Sequence, residues 1–200
     1  MLRARKNNSG FTLVELMIVV VILGILATLA TVGFKKYVAR ARSVEAVAML
    51  AEMSSKEQLY KLEFANFLPL RADNKVDLPS PDEASAAFYP MAAGSSALES
   101  ARTAISIADS TQWPTAWQSV GMRPRDSQLY CTYLTNAGAA GSATTGLKYG
   151  AVLIGTNNVA PWFYSLAACN LSGATGYPDD VSIFALSSVG SSLRVFNEGK

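Results

Sequence analysis

The sequence predicts an α+β fold in which a long N-terminal α-helix packs on a C-terminal antiparallel β-sheet. Three observations predict it. An apolar run covers residues 11–34, and a helical pattern without proline or glycine follows over residues 35–68. After residue 127 the pattern changes to short β-branched and aromatic runs separated by glycine, asparagine and serine, which is typical of strands joined by turns.

The apolar run has the length of a membrane-spanning helix, which needs roughly 20 predominantly apolar residues. Residues 16–34 contain no ionisable side chain, and their polar side chains are those of Thr28 and Thr31. Glu15 is therefore the single charge of the apolar segment. Burying a carboxylate in a membrane costs free energy, so a carboxylate inside a membrane segment is expected to have a function. Two interpretations of Glu15 are open: it lies at the membrane interface, or it forms an ion pair with a cationic partner.

The first ten residues form a basic flank with three cations and no acid. Such a flank holds its end in the cytoplasm and directs the following chain across the membrane. In an ordinary secretory signal the cut follows the apolar segment, but no small-residue site with a polar mature start follows it here. A cut between Gly10 and Phe11 would instead keep the apolar helix. The new α-amino group would then lie one helical turn from Glu15.

The stretch GFTLVELMIVV, which begins at Gly10, resembles the prepilin signature of type IV pilins and type II secretion pseudopilins. The resemblance covers residues 3–37. It implies cutting by a prepilin peptidase after Gly10 and methylation of the new amine on Phe11. It also implies that Glu15 pairs with the Phe11 amine of a neighbouring subunit during assembly, and that the fold is the pilin architecture of a helix laid across an antiparallel sheet. A polar group in an apolar seam fixes register at some cost in stability.

One position departs from the pattern of the family. Many pilins carry a proline about two thirds of the way along the apolar segment, where the helix can kink, and Val32 stands at that place here. Gly33 still weakens a helix by about 1 kcal/mol relative to alanine. We therefore expect a flexible point near Gly33, without the proline that would fix its position.

Residues 35–68 are expected to form the amphipathic second half of the helix, so that one helix runs from about Phe11 to about Phe67. It starts with a cationic collar that suits a membrane interface or a contact between packed subunits. Apolar residues at spacings of three and four predict a stripe on this half, which packs on the domain. Pro69 and the polar residues after it end the helix. The stripe consists of Val38, Ala41, Val44 or Glu45, Val47, Ala48, Ala51, Ser55, Leu59 and Leu62.

Residues 69–126 are expected to be a variable connecting region, because recurring prolines exclude a long uninterrupted element. Short helices are predicted over residues 80–89 and 96–107. Residues 127–200 form the predicted sheet region, an antiparallel meander. Its strand candidates are residues 128–134, 147–154, 162–169, 181–186 and 193–196.

The two cysteines, Cys131 and Cys169, lie on the first and third strand candidates. A domain that reaches an oxidising compartment can bridge them, and closing a loop of this size stabilises a fold by about 3–4 kcal/mol. The alternative is a pair of buried free thiols. No metal site is expected, because the chain has no histidine and no Cys-x-x-Cys. The loop of residues 170–180 supplies fewer side-chain oxygens, from Asn170, Asp179 and Asp180, than the roughly six to eight that calcium takes.

Catalysis and a cofactor are not expected either. Without histidine, Ser-His-Asp and Cys-His arrangements are impossible, and no glycine-rich phosphate loop is present. The formal charge of +2 comes from 17 basic and 15 acidic side chains and becomes −1 without the three leader cations. The basic balance therefore gives no reason to expect a nucleic-acid partner.

Three functions remain. The resemblance implies a major or minor type IV pilin that is cut by prepilin peptidase and polymerised through its helix with other pilins. Such fibres serve adhesion, twitching motility or DNA uptake. The subunit would wait in the inner membrane with a periplasmic C-terminal domain, use the pilus assembly machinery, and end in an extracellular fibre. The second function is a pseudopilin of a type II secretion system. The third is an uncleaved single-span protein with a periplasmic binding domain. The large region after residue 69 favours the pilus subunit.

Overall fold

In a computed structural model, the described residues are 11–75, 78, 87–90, 103–104, 110–124, 126–156, 158–171, 181–190 and 192–196. The chain divides into two compact units, Met1–Val38 and Ala39–Lys200. Its helices are α1 (Leu13–Phe64), α2 (Thr115–Ser119) and α3 (Gly150–Leu153). Its strands are β1 (Thr103–Ala104), β2 (Gln128–Leu129), β3 (Cys131–Gly138), β4 (Trp162–Asn170), β5 (Val181–Ser187) and β6 (Arg194–Phe196).

Helix α1 confirms the predicted long helix and ends slightly earlier than expected. The backbone is helical through Gly33, at which the sequence predicts a flexible point. The helix ends because Ala65 adopts a left-handed conformation with φ of 59°, in which the chain leaves the helical path. The Ala65 N–H still donates to the Lys61 carbonyl at 2.9 Å, so the last turn is closed before the chain reaches Pro69.

The predicted antiparallel meander is confirmed. Strands β3, β4, β5 and β6 lie side by side in that order, and each neighbouring pair is antiparallel. The two cysteines are opposite each other in the β3–β4 register. The predicted strands at 162–169, 181–186 and 193–196 correspond to β4, β5 and β6.

Both faces of the sheet are buried at β3 and β4 within the second unit, whereas β6 at the edge is exposed or half-buried. One face packs on α1 through a core that includes Cys131, Tyr133, Ala167 and Phe184. The side chains on the other face, which alternate with these along the strands, pack on α3 and on residues 87–88. Every residue of β3 and β4 is consequently buried.

The prediction that the apolar stripe packs on the domain is wrong. The opposite side of the helix packs on the domain, and the stripe is exposed. Ala46, Met49, Leu50 and Met53 of α1 are buried in the core, whereas the predicted stripe is exposed from residue 41 to residue 62. The helix has two apolar sides in this half. The buried side carries leucine and methionine, which remove more apolar area from water than the alanines of the other side.

The strand predicted over residues 147–154 is wrong, because its centre forms α3. A short apolar run does not distinguish a strand from a helix by periodicity. Gly150 is the residue that permits this packing, since a Cβ there would lie 2.8 Å from the Leu147 Cβ and 3.3 Å from the Tyr164 ring.

The strand predicted over residues 128–134 is divided at Tyr130, and the second part continues to Gly138. The division has a physical cause, because the Tyr130 N–H donates to the Glu45 carboxylate at 3.0 Å instead of to a strand.

Of the two helices predicted in the connecting region, the one over 96–107 is wrong where the structure describes it, and most of the one over 80–89 lies outside the described residues. Thr103 and Ala104 form β1, which pairs with β2; the rest of the predicted helix over 96–107 lies outside the described residues. In the other segment, Tyr89 forms an isolated β-bridge with Tyr133, whereas residues 79–86 lie outside the described part of the chain.

Candidate assembly site

Glu15 is held by Thr12, the residue immediately before helix α1. The Thr12 N–H and hydroxyl donate to Glu15 Oε2 at 3.0 and 2.9 Å, and the Glu15 N–H donates to the Thr12 hydroxyl at 3.2 Å. This reciprocal pair is a capping box, in which the first and fourth residues satisfy each other's free N–H groups at a helix start. Thr12-Leu-Val-Glu15 is its Thr-x-x-Glu sequence signature, which the sequence analysis missed.

The apolar part of α1 is exposed along its length. It is the one helix among the described residues that is long and apolar enough to cross a membrane, and none of its most apolar window is buried. Phe11 is 82% exposed and Leu13 77% exposed. The hydroxyls of Thr28 and Thr31 donate to the carbonyls of Ile25 and Thr28 at 2.7 and 2.8 Å. Local bonds of this kind satisfy polar groups inside an apolar helix.

In the second unit, Glu45 fastens α1 to the start of strand β3. Its Oε1 accepts hydrogen bonds from the N–H groups of Tyr130 and Cys131 at 3.0 and 3.3 Å, and from the Tyr133 hydroxyl at 3.0 Å. Burial raises the pKa of Glu45, and these hydrogen bonds oppose the shift. The pKa of Tyr133 is also raised, first by burial and then by the neighbouring Glu45 carboxylate.

Arg42, one turn before Glu45, fastens the same end of the sheet. Its Nη1 donates to the Asn170 carbonyl at 3.0 Å, and its guanidinium lies 4.8 Å from the centroid of the Tyr130 ring. Cys131 and Cys169, between these contacts, form the disulfide, as the sequence analysis expected. The hydrogen bonds of Arg42 and Glu45, which we call the clamp, thus join α1 to the start of β3 and the end of β4. The disulfide joins β3 to β4 at the same corner.

A polar network joins the segment after the helix to the second face of the sheet. The buried Arg71 guanidinium donates to the Asp73 carboxylate at 2.8 and 2.7 Å, and to Asn136 Oδ1 at 2.8 Å. Asn136 in turn donates to the Tyr164 hydroxyl at 2.8 Å. The hydrogen bonds from Arg71 lower the pKa of Asp73. The network gives a buried charge the partners that it requires.

The structure describes some of the predicted site residues and not others. Gly10 and the rest of the leader lie outside the described residues, and so do residues 172–180 of the loop considered for calcium. Phe11 and Glu15 are described and exposed. The clamp residues Arg42 and Glu45 were missed, since a charge on a helix is ordinarily assigned to its solvent side.

Residues 5–31 match the family model described as the prokaryotic N-terminal methylation motif. The chain is 43% identical over 58 residues to the type IV major pilin protein PilA of Myxococcus xanthus, a match that covers 29% of this chain and 26% of that protein. It is 52% identical over 45 residues to the type IV major fimbrial protein FimA of Dichelobacter nodosus, covering 22% of this chain and 28% of that protein. A fimbrial protein of Pseudomonas aeruginosa is 41% identical over 58 residues, covering 29% of this chain and 38% of that protein.

The N-terminal segment of the chain is therefore similar to that of type IV pilins. The matched parts of these pilins are about a quarter to two fifths of their length, so the similarity concerns the helix that carries Glu15. No solved structure matches the chain. Pilins are structural proteins and not a class of enzymes, and the long apolar helix followed by an antiparallel sheet is the pilin-like arrangement.

Proposed function

We propose that this protein is a subunit of a type IV pilus that is cut after Gly10, methylated on Phe11 and polymerised through α1. The proposed parts of the precursor are a leader (1–10), an assembly helix (11–34), its amphipathic continuation (35–68), a connecting region (69–126) and a sheet region (127–200). The observation that carries the proposal is the wholly exposed apolar helix with a single acid at its start.

The capping box explains how Glu15 is tolerated before assembly. An acid near the start of a membrane helix is costly when it has no hydrogen-bond donors, and Thr12 supplies two of them within the same chain. Cleavage would leave a cationic amine on Phe11, next to Thr12. In the polymer, the Phe11 amine of a neighbouring subunit would take the place of these local donors, and the charge pair would set the register of the two helices.

The exposed stripe on α1 supports association of helices in the second unit as well. Its residues repeat at spacings of three and four, the pattern of a helix that packs on another helix. Several of them are small, which lets two helix backbones come close together. The exposed part of the stripe consists of Ala41, Val44, Val47, Ala48, Ala51, Ser55, Leu59 and Leu62. Such a surface is costly to leave in water, so we propose that it is covered by other subunits of the polymer.

We also propose the location, processing and assembly that are typical of type IV pilins. The subunit waits in the inner membrane with its C-terminal domain in the periplasm, is processed by a prepilin peptidase, and enters the fibre through a pilus assembly machinery. The fibre serves adhesion, twitching motility or DNA uptake. The relatives described above are pilin and fimbrial proteins, which favours a pilus over the pseudopilus of a secretion system.

Two substitutions separate the register role of Glu15 from its capping role. Glu15→Gln keeps a residue that is accepted in a capping box but removes the charge, whereas Thr12→Val removes the cap and keeps the charge. We expect Glu15→Gln to abolish surface filaments and Thr12→Val to retain them. The measurement is the amount of pilin in sheared surface filaments relative to the amount in the membrane, with total pilin as the control. Equal filament yields from Glu15→Gln and the unsubstituted protein would refute the register role.

Processing is tested separately. Replacing Gly10 with leucine should block the cut and leave a heavier membrane-bound precursor, because it puts a bulky side chain at the proposed cleavage point. Intact mass and N-terminal sequencing of pilin from cells read the result. A chain that starts at N-methylated Phe11 supports the proposal. A chain that retains its first ten residues in the unsubstituted protein would favour the uncleaved single-span protein.

A further inference from the structure

A cavity of about 380 Å³ opens at one end of the second unit. One wall is the last turns of α1. The others are the loop before β4 and the turn after β5. The lining residues that matter below are Gln58, Lys61, Asn158, Val159, Pro161 and Val189.

Lys61 brings an ammonium group to the cavity without a carboxylate to neutralise it. Its Nζ lies 4.8 Å from the centroid of the Phe67 ring, over the ring face, a position that attracts a cation. Among the described residues, no Asp or Glu oxygen lies within ion-pair distance of this group. The cavity therefore offers a positive charge to an incoming anion.

Two amide side chains supply hydrogen bonds beside that charge. Gln58 is exposed, and its side chain has no hydrogen-bond partner among the described residues. Asn158 uses only its Nδ2, which lies 3.4 Å from the carbonyls of Ser142 and Gly155. Its Oδ1 accepts no hydrogen bond from the described part of the chain. The cavity thus combines one cation with amide donors and an amide acceptor.

The rest of the lining favours an aliphatic ligand body. Val159 is 94% exposed and Val189 is 67% exposed, so both present apolar surface. Phe67 and Trp162 also line the cavity, but they are 2% and 1% exposed. Their ring faces are already covered, so the described lining residues offer no aromatic platform on which a sugar or a base could stack.

We propose that this cavity is a binding site for a small aliphatic carboxylate, whose carboxylate lies against Lys61 and Gln58 and whose apolar body lies against Val159 and Val189. The volume is at the lower end of small-ligand sites, which measure about 300–1,000 Å³. The carboxylate is either a free acid or the carboxyl terminus of a peptide that ends in an aliphatic residue. The proposal does not depend on polymerisation into a pilus.

The test is a ligand-observed NMR titration of the full chain in lipid nanodiscs with isovalerate, and with neutral isovaleramide as the matched probe. We expect isovalerate to bind with a Kd on the order of 1 mM, and isovaleramide about tenfold more weakly. Lys61→Gln should weaken isovalerate binding about tenfold, as expected for loss of a charge-assisted contact. Lys148→Gln is the control, because Lys148 also lies over an aromatic ring, that of Tyr149 at 5.1 Å, and does not line the cavity.

A second variant guards against an effect on folding. Val159 is so exposed that Val159→Asp leaves the core intact, and the new acid should repel isovalerate. Equal binding of the acid and the amide, equal binding by Lys61→Gln and Lys148→Gln, or no binding at about 20 mM, far above the expected Kd, would each overturn the proposal. N-acetylvaline identifies the source: tighter binding than isovalerate assigns the site to a peptide terminus, and equal or weaker binding assigns it to a free acid.

Discussion

Glu57 predicts how the stability of the second unit depends on pH. Its side chain is buried, and Oε2 accepts a hydrogen bond from the Leu68 N–H at 3.0 Å. Oε1 has no partner among the described residues, and no cation contributes to its electrostatic environment there. The perturbation that isolates this group is Glu57→Gln, which keeps an acceptor for Leu68 and removes the charge.

The direction in which stability changes with pH follows from the pKa values of Glu57 in the folded and unfolded chain. Burial raises the pKa of Glu57 to about 8 in the folded protein, against an ordinary value of 4.5. Between these values the folded protein holds a proton that the unfolded chain has lost, so the free energy of unfolding falls as the pH rises. The stabilisation is present below the ordinary pKa and is lost towards pH 8. At about 1.4 kcal/mol per pH unit, the loss between pH 5 and pH 8 is at most about 3–4 kcal/mol.

Thermal unfolding of the full chain in non-ionic detergent, followed by near-ultraviolet circular dichroism at several pH values, measures this loss. For a domain of this size, 3–4 kcal/mol corresponds to a Tm lower by about 10 °C at pH 8 than at pH 5. Glu57→Gln should remove most of that difference and raise the Tm at pH 8. Glu45, whose pKa is also raised by burial, should account for the remainder. Glu63→Gln is the control on an exposed position of the same helix. A Glu57→Gln variant with the pH dependence of the unsubstituted protein would refute the reasoning.

Three further variants test the packing of the second unit. Replacing Cys131 and Cys169 with serine should lower the free energy of unfolding by about 3–4 kcal/mol, and reductant should lower the Tm of the unsubstituted protein but not of this variant in calorimetry. Arg71→Met should cost about 3–5 kcal/mol in denaturant titrations, because it leaves buried partners without their donor; a cost below 1 kcal/mol would contradict the buried network. Gly138→Ala should cost about 1–3 kcal/mol by overpacking, since its Cβ would collide with the Trp162 ring; unchanged chemical denaturation would show that the ring moves freely.

The sequence predicted the elements that depend on local pattern. The long helix follows from an uninterrupted apolar and helical pattern, and β4 and β5 follow from runs of apolar and aromatic residues bounded by turns. The disulfide was expected from the cysteines on two strand candidates, and the structure places these strands next to each other. These features are predictable because each is specified by residues close together in the chain or by a single kind of chemistry.

The features that were missed depend on contacts between distant segments. The centre of the segment at residues 147–154 folds as α3, which covers the second face of the sheet, although the composition of the segment suits a strand equally well. The strand predicted from residue 128 is interrupted at Tyr130 because a carboxylate 85 positions earlier in the chain takes its N–H. No local pattern contains such a contact, so periodicity alone could not have placed either boundary.

Which side of α1 faces the domain in the second unit also depends on contacts between distant segments, and it bears on function. The domain-facing side carries Glu45 and Glu57, which accept N–H groups from the chain that packs there, beside Leu50 and Met53. The outward side carries the apolar stripe. This is the reverse of a helix whose only task is to pack on its own domain, for which charged residues face water. Because acids on the inner side supply specific acceptors and the outer side keeps its apolar residues, the arrangement suits a helix that packs on its own domain and on another helix. A pilus subunit requires contacts of its helix both with its own domain and with the helices of neighbouring subunits. A domain that is only anchored to a membrane does not require the contact with another helix.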